Sequence, residues 1–88
     1  KMKVYLGTIT PFKGAGYYSH FHEAARLYVN DWIRSQAKNA DGILDFAKLL
    51  QDPNDDRRMK REYASGDWLH PNPAGYKAMG IYAADIVK

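Results

Sequence analysis

Cysteine is absent from the 88 residues, which removes disulfide frameworks, thiolate metal sites and cysteine nucleophiles together. No apolar run approaches the roughly 20 residues that a helix needs to span a bilayer. The opening residues also lack the charged, apolar and small-residue succession of a signal peptide, so the compartment stays open. Charge of one sign is in short supply as well. Thirteen Lys and Arg against ten Asp and Glu give a formal net charge of +3, too little to imply a nucleic-acid partner unless the basic residues share one face. Only Arg57, Arg58, Lys60 and Arg61 cluster. Asp52, Asp55, Asp56 and Glu62 flank them, so the run reads as a solvated loop or frayed helix. There is no internal repeat and no low-complexity stretch.

What the chain does have is core material. Hydrophobic residues make up 45% of it and seven are tyrosine, which argues against a solvated, disordered segment. At this length it is one domain at most, able to bury only about 60–65% of its unfolded surface. Lys3 to Thr10 is short, apolar and β-branched in its middle and ends at Pro11, as a buried strand does. Pro11 to Gly16 mixes turn formers with Phe12 and predicts a surface loop with unusual backbone angles. From Ser19 to about Lys38, Phe21, Ala25, Tyr28 and Trp32 recur at spacings of four and three, joined by Ala24, Val29 and Ile33. That pattern predicts an amphipathic helix, with Ser19 as N-cap and Glu23 in its first turn.

Asn39 to Gly42 supplies stop and turn residues, and Ile43 to Phe46 reads as a second buried strand. Ala47 to Leu50 fits one helical turn, and the polar stretch from Gln51 to Gly66 is expected to be mostly irregular. Asn72 and Pro73 start the last helix, with Tyr76, Met79, Ala83 and Ile86 as its buried stripe. The alternation places the chain in the α/β class, with two parallel strands and two main helices. Two such strands leave open edges of unpaired backbone groups. The segment is therefore expected to complete a larger sheet supplied by the rest of its own chain or by a second copy.

Asp67-Trp68-Leu69-His70-Pro71-Asn72 sets a carboxylate three residues before a histidine, in a turn ahead of a helix. A serine hydrolase needs a histidine base held in one tautomer, and a carboxylate on its Nδ1 both fixes the ring and stabilises the imidazolium. Pro71 restricts His70 to extended angles and Asn72 fixes where the helix begins, so rigid neighbours would aim the imidazole. Read structurally instead, Asp67 caps the turn and His70 only forms hydrogen bonds. His20 and His22 form an H-x-H pair whose side chains would point to different faces of a helix with no further ligands nearby. They read as solvent-exposed rather than as a metal site. Asp45, at a strand end, reads as the cap of the next turn.

The longer string Gly66-Asp67-Trp68-Leu69-His70-Pro71-Asn72-Pro73-Ala74-Gly75-Tyr76 resembles the last signature block of the GDSL/SGNH serine hydrolases. Gly7 to Phe12 is similar to the end of a core strand in these enzymes, and Asp41 to Phe46 and Leu50 to Pro53 are compatible in spacing. Together they look most like the xylan-esterase-like and lysophospholipase-like branches. The resemblance spans residues 1–88 but only the C-terminal part of the family's domain. It implies a three-layer α/β/α flavodoxin-like fold, with His70 as general base and Asp67 as its orienting partner.

The block bearing the nucleophilic serine, and the glycine and asparagine of the oxyanion hole, have no counterpart here. Ser19, Ser35 and Ser65 lack the nucleophile's context, so the 88-residue segment alone is expected to be inactive. The complete protein would hydrolyse acyl esters, acetyl for preference, of carbohydrates or lipids, without metal or cofactor. Its location would be secreted or periplasmic by family likeness only. Phe12, Tyr17 and Tyr18 would be substrate contacts or would pack their loop against its own helix. Trp68 would shape the pocket or wedge the turn. The rival reading is a non-catalytic module that associates with a second copy through its open sheet edge.

Overall fold

The computed structural model describes residues 2–88. The chain is mixed α/β. β1 (Tyr5–Gly7) leads through a loop into α1 (His20–Ser35), which passes into a 3₁₀ turn at Gln36–Lys38 and returns to β2 (Gly42–Leu44). β1 and β2 pair in parallel, Tyr5 opposite Gly42, Leu6 opposite Ile43 and Gly7 opposite Leu44. The pairing runs past the strand ends, since Thr8 N donates to Leu44 O at 3.0 Å and Asp41 N to Val4 O at 2.8 Å. The strand is shorter than the apolar run from Lys3 to Thr10 because Ile9 leaves the ladder. Its backbone is taken by α1 instead.

α2 (Phe46–Leu50) follows at once, with the Asp45 carboxylate accepting from Lys48 N as its N-cap. The stretch expected to be irregular contains a hairpin. β3 (Gln51–Asp52) pairs antiparallel with β4 (Asp55–Met59), and a 3₁₀ turn at Arg61–Tyr63 follows. No apolar alternation announces β4. Asp55 binds Lys13 at 2.8 Å and Arg57 at 3.0 Å, and Asp52 binds Arg58 at 3.1 Å, so Arg57 and Arg58 lie on a strand laced by ion pairs, while Lys60 and Arg61 follow it into the 3₁₀ turn. Leu50 and Met59, at the two ends of the hairpin, are completely enclosed.

α3 (Pro73–Val87) starts where Asn72 caps Gly75 N, with Pro73 in the first turn. Its expected buried stripe is only half realised: Met79 and Ala83 are half-buried, but Tyr76 and Ile86 are exposed. The helix seats instead through Gly75, where an added Cβ would stand 2.6 Å from Tyr63 O.

α1 departs further from its apolar pattern. Ser19 caps it as expected, yet the face it buries is Glu23, Arg26, Asn30 and Ile33. Phe21 and Tyr28 are 88% and 77% exposed, and Trp32 is exposed too. The reason lies at the end of β1, where the part-buried backbone bonds of Ile9 take their partners from α1. Asn30 accepts from Ile9 N and donates to Ile9 O, and Arg26 reaches Ile9 O and Asp56 O while paired with Glu23 at 2.7 Å. Apolar side chains could satisfy none of these groups. The accessible surface is 6027 Å², against about 5,300 Å² for a compact monomer of 10.1 kDa.

Candidate active site

The turn between the Arg61–Tyr63 segment and α3 is built from Asp67 outward. Asp67 Oδ1 accepts from the N–H groups of Leu69 at 2.9 Å and His70 at 3.0 Å, while Oδ2 lies 2.7 Å from His70 Nδ1. The hydrogen bond from the imidazole, followed by those from the two backbone N–H groups, holds the Asp67 carboxyl well below the usual carboxylate range. An ionised carboxylate only accepts, so the bond takes its proton from His70 Nδ1, and in the neutral ring that leaves Nε2 as the acceptor. Both side chains are more than half exposed.

The turn is tied down on each side. Ser65 N donates to His70 O at 2.9 Å, Trp68 N to Ser65 O at 3.1 Å, and Ala64 bridges to the buried Pro71. Asn72 locks the exit: its N–H donates to Tyr63 O at 2.7 Å, its Nδ2 to Glu62 O at 2.9 Å, and its Oδ1 accepts from Gly75 N. Within the turn Trp68 stands at φ 57, in the left-handed region, which strains a non-glycine residue by about 1–2 kcal/mol.

Phe12 is buried, with the Tyr17 ring 6.1 Å away and the Tyr18 ring edge-on at 5.4 Å, so the loop carries a small aromatic cluster of its own. A largely apolar trough of about 380 Å³ opens beside it, lined by Ile9, Phe12, Tyr17, His22, Val29 and Leu69. Leu69, which precedes His70 in the chain and which spacing alone did not single out, lines the trough, whereas Asp67 and His70 do not. Tyr18 and Trp68 do not line it. Among the described residues no hydrogen-bond partner meets the enclosed Tyr18 hydroxyl, and burial, then the nearby Glu23 carboxylate, push its pKa up. Trp68 borders a separate hollow with Arg61, Ser65 and Gly66.

None of the three serine hydroxyls is bonded to His70. Ser19 Oγ accepts from His22 N, Ser35 Oγ donates to Trp32 O and Ser65 Oγ donates to Pro71 O. Among the described residues no group of three or more His, Asp or Glu could hold a metal ion, and no helix is long and apolar enough to cross a membrane. His20 and His22 are exposed, with His22 Nδ1 against the Tyr17 carbonyl. Asp45 caps α2 and also takes hydrogen bonds from Thr8 and Arg34. Partial burial pushes its pKa up, but those bonds outweigh burial and leave it below the usual range. No protein-family model and no curated protein matches the chain.

What the site can do follows from its parts. A neutral imidazole with its Nδ1–H fixed by a carboxylate is a positioned general base and acid. It is a dyad that becomes an acyl-transfer centre when a nucleophile and oxyanion donors are brought to it.

Proposed function

We propose that the chain is the C-terminal part of an SGNH-type serine esterase domain with a flavodoxin-like three-layer fold, contributing Asp67 and His70 to a Ser-His-Asp triad. The observation that carries the reading is the 2.7 Å contact of His70 Nδ1 with a carboxylate already held by two backbone N–H groups, within a D-x-x-H-P-N string that resembles that family's last block. The parallel β1–α1–β2 unit with β1 at an open edge, and the exposed aromatic face of α1, fit a sheet and a core completed by further polypeptide. That polypeptide would bring the serine and the oxyanion-hole donors.

In that assembly the serine attacks an ester carbonyl, giving its proton to His70 Nε2. His70 returns the proton to the leaving alcohol, and water then cleaves the acyl-enzyme by the same relay. Asp67 keeps the ring in the required tautomer throughout. The substrate class is an acyl ester, acetyl for preference, of a carbohydrate or lipid. The trough lined by Phe12, Tyr17 and Leu69 is the surface available to it.

The test is p-nitrophenyl acetate hydrolysis by the complete gene product, beside His70→Ala. The expected loss in kcat/KM is at least about a thousandfold. Hydrolysis indifferent to His70→Ala, or no serine labelled by a fluorophosphonate, sinks the reading.

A second reading rests on the surface. The accessible surface exceeds that of a compact monomer of this mass by roughly 700 Å², and the edge of β1 and the aromatic face of α1 are left uncovered. In this reading a second copy covers the open edge and the chain has no catalytic role. A dimer by sedimentation with no esterase activity in the complete gene product would favour it.

A further inference from the structure

We infer that Trp68 is a positioning residue for the Asp67–His70 pair, clamped between Gly14 and Arg58, and that this clamp sets the turn's geometry against the loop that follows β1. The inference rests on the reading of Asp67 and His70 as orienting carboxylate and base.

Among the described residues Trp68 is the one non-glycine with positive φ. The left-handed kink falls between the carboxylate of Asp67 and the two N–H groups, on Leu69 and His70, that Oδ1 holds together. A large aromatic residue does not adopt that conformation for local reasons. Its indole has two specific neighbours. On one side is Gly14, itself at φ 103, where an added Cβ would stand 2.9 Å from Trp68 Cγ, so only a glycine leaves room for the ring. The other is the Arg58 guanidinium, 5.7 Å from the ring centroid and anchored by Asp52 at 3.1 Å.

These two neighbours share a frame. Lys13 N donates to Arg57 O at 3.0 Å and Lys13 Nζ pairs with Asp55, so the loop carrying Gly14 is bound to the strand carrying Arg58. The indole lies outside the trough beside Leu69, which separates a positioning role from a substrate contact. Holding the ring between loop and strand holds φ at Trp68, and that φ sets how Asp67 meets the imidazole.

The His70 ring, observed by proton and ¹⁵N NMR in the 88-residue chain, reports on the pair without any requirement for activity. In the wild type the Nδ1 proton is expected downfield, exchanging with solvent at a rate that opening of its bond to Asp67 sets. Trp68→Ala is expected to accelerate that exchange about tenfold while far-UV circular dichroism still reports a folded chain. Trp68→Phe, which keeps a ring over Gly14, should stay near the wild-type rate. A folded Trp68→Ala chain exchanging at the wild-type rate overturns the inference. Should Trp68→Ala fail to fold, Arg58→Gln decides. Its side chain is half exposed, and a roughly two- to fivefold acceleration supports the clamp, whereas no change overturns it. An inactive complete gene product whose Nδ1 proton still responds to these variants would sink the esterase reading and leave the clamp standing.

Discussion

Asn30 and Ile9 make a two-way contact: the Asn30 Oδ1 accepts from Ile9 N at 2.7 Å while its Nδ2 donates to Ile9 O at 2.9 Å, as a neighbouring strand would. Asn30 is 1% exposed, so neither Ile9 group has water as an alternative on that side. Replacing it by the near-isosteric Leu should strand Ile9 N, leave Ile9 O only its longer bond from Arg26, and lower stability by about 1–3 kcal/mol, measured by urea unfolding. Asn30→Asp, which keeps the acceptor but places a carboxylate against the Ile9 carbonyl, should recover little of the loss. A Leu variant as stable as the wild type would show that the contact holds nothing together.

Two glycines of α3 should respond to alanine with opposite signs. Gly80 has open space around its Cβ position, so Gly80→Ala should stabilise by about 0.5–1 kcal/mol through helix propensity. At Gly75 the new methyl would meet Tyr63 O at 2.6 Å and the Pro71 ring at 2.8 Å. Gly75→Ala should therefore destabilise despite the same gain in propensity, and it should disturb the Asp67–His70 turn that Pro71 closes. Thermal melts of the two variants side by side give the comparison.

The lowered pKa of Asp67 has a sign that can be followed. A carboxylate favoured in the folded state adds stability in full above its unfolded value of about 3.9, and loses it as pH falls through the lower folded value. The stability difference between wild type and Asp67→Asn should thus hold steady from pH 6 down to about pH 4 and shrink below that. Exposure of the pair keeps the difference small. A difference that grows toward pH 2 would contradict the ionised Asp67. At neutral pH the carboxylate is always charged, so its own titration should leave no trace in an activity profile there.

On α1 the aromatic face and the buried face should part company. Tyr28→Ser, at a site 77% exposed, should change the stability of the 88-residue chain by less than about 0.5 kcal/mol. Ile33→Ala should lower it by about 2–4 kcal/mol, because Ile33 lies among the buried residues of the same helix. Denaturant midpoints at matched slope provide the readout. If a partner polypeptide covers the aromatic face, Tyr28→Ser should weaken that association instead.

The sequence by itself determined whatever depends on residues close together in the chain. Ser19 and Asn72 capping their helices, Asp45 capping α2, and the approach of Asp67 to His70 across three positions all follow from local reach. Apolar runs separated by a helical pattern were enough to announce a parallel β–α–β unit. Tertiary structure alone decided which face of α1 turns inward, because that depended on the unpaired backbone at Ile9 and not on the apolar period of the helix itself. It alone made β4 from Asp55-Asp56-Arg57-Arg58-Met59, where ion pairs with Lys13 and Asp52 take the place of alternation. It alone seated Trp68 in a left-handed turn, since the room for its ring comes from Gly14, far away in sequence. Period and caps report an element's own preferences; the direction it faces is set by the polar groups that neighbouring elements leave to be satisfied.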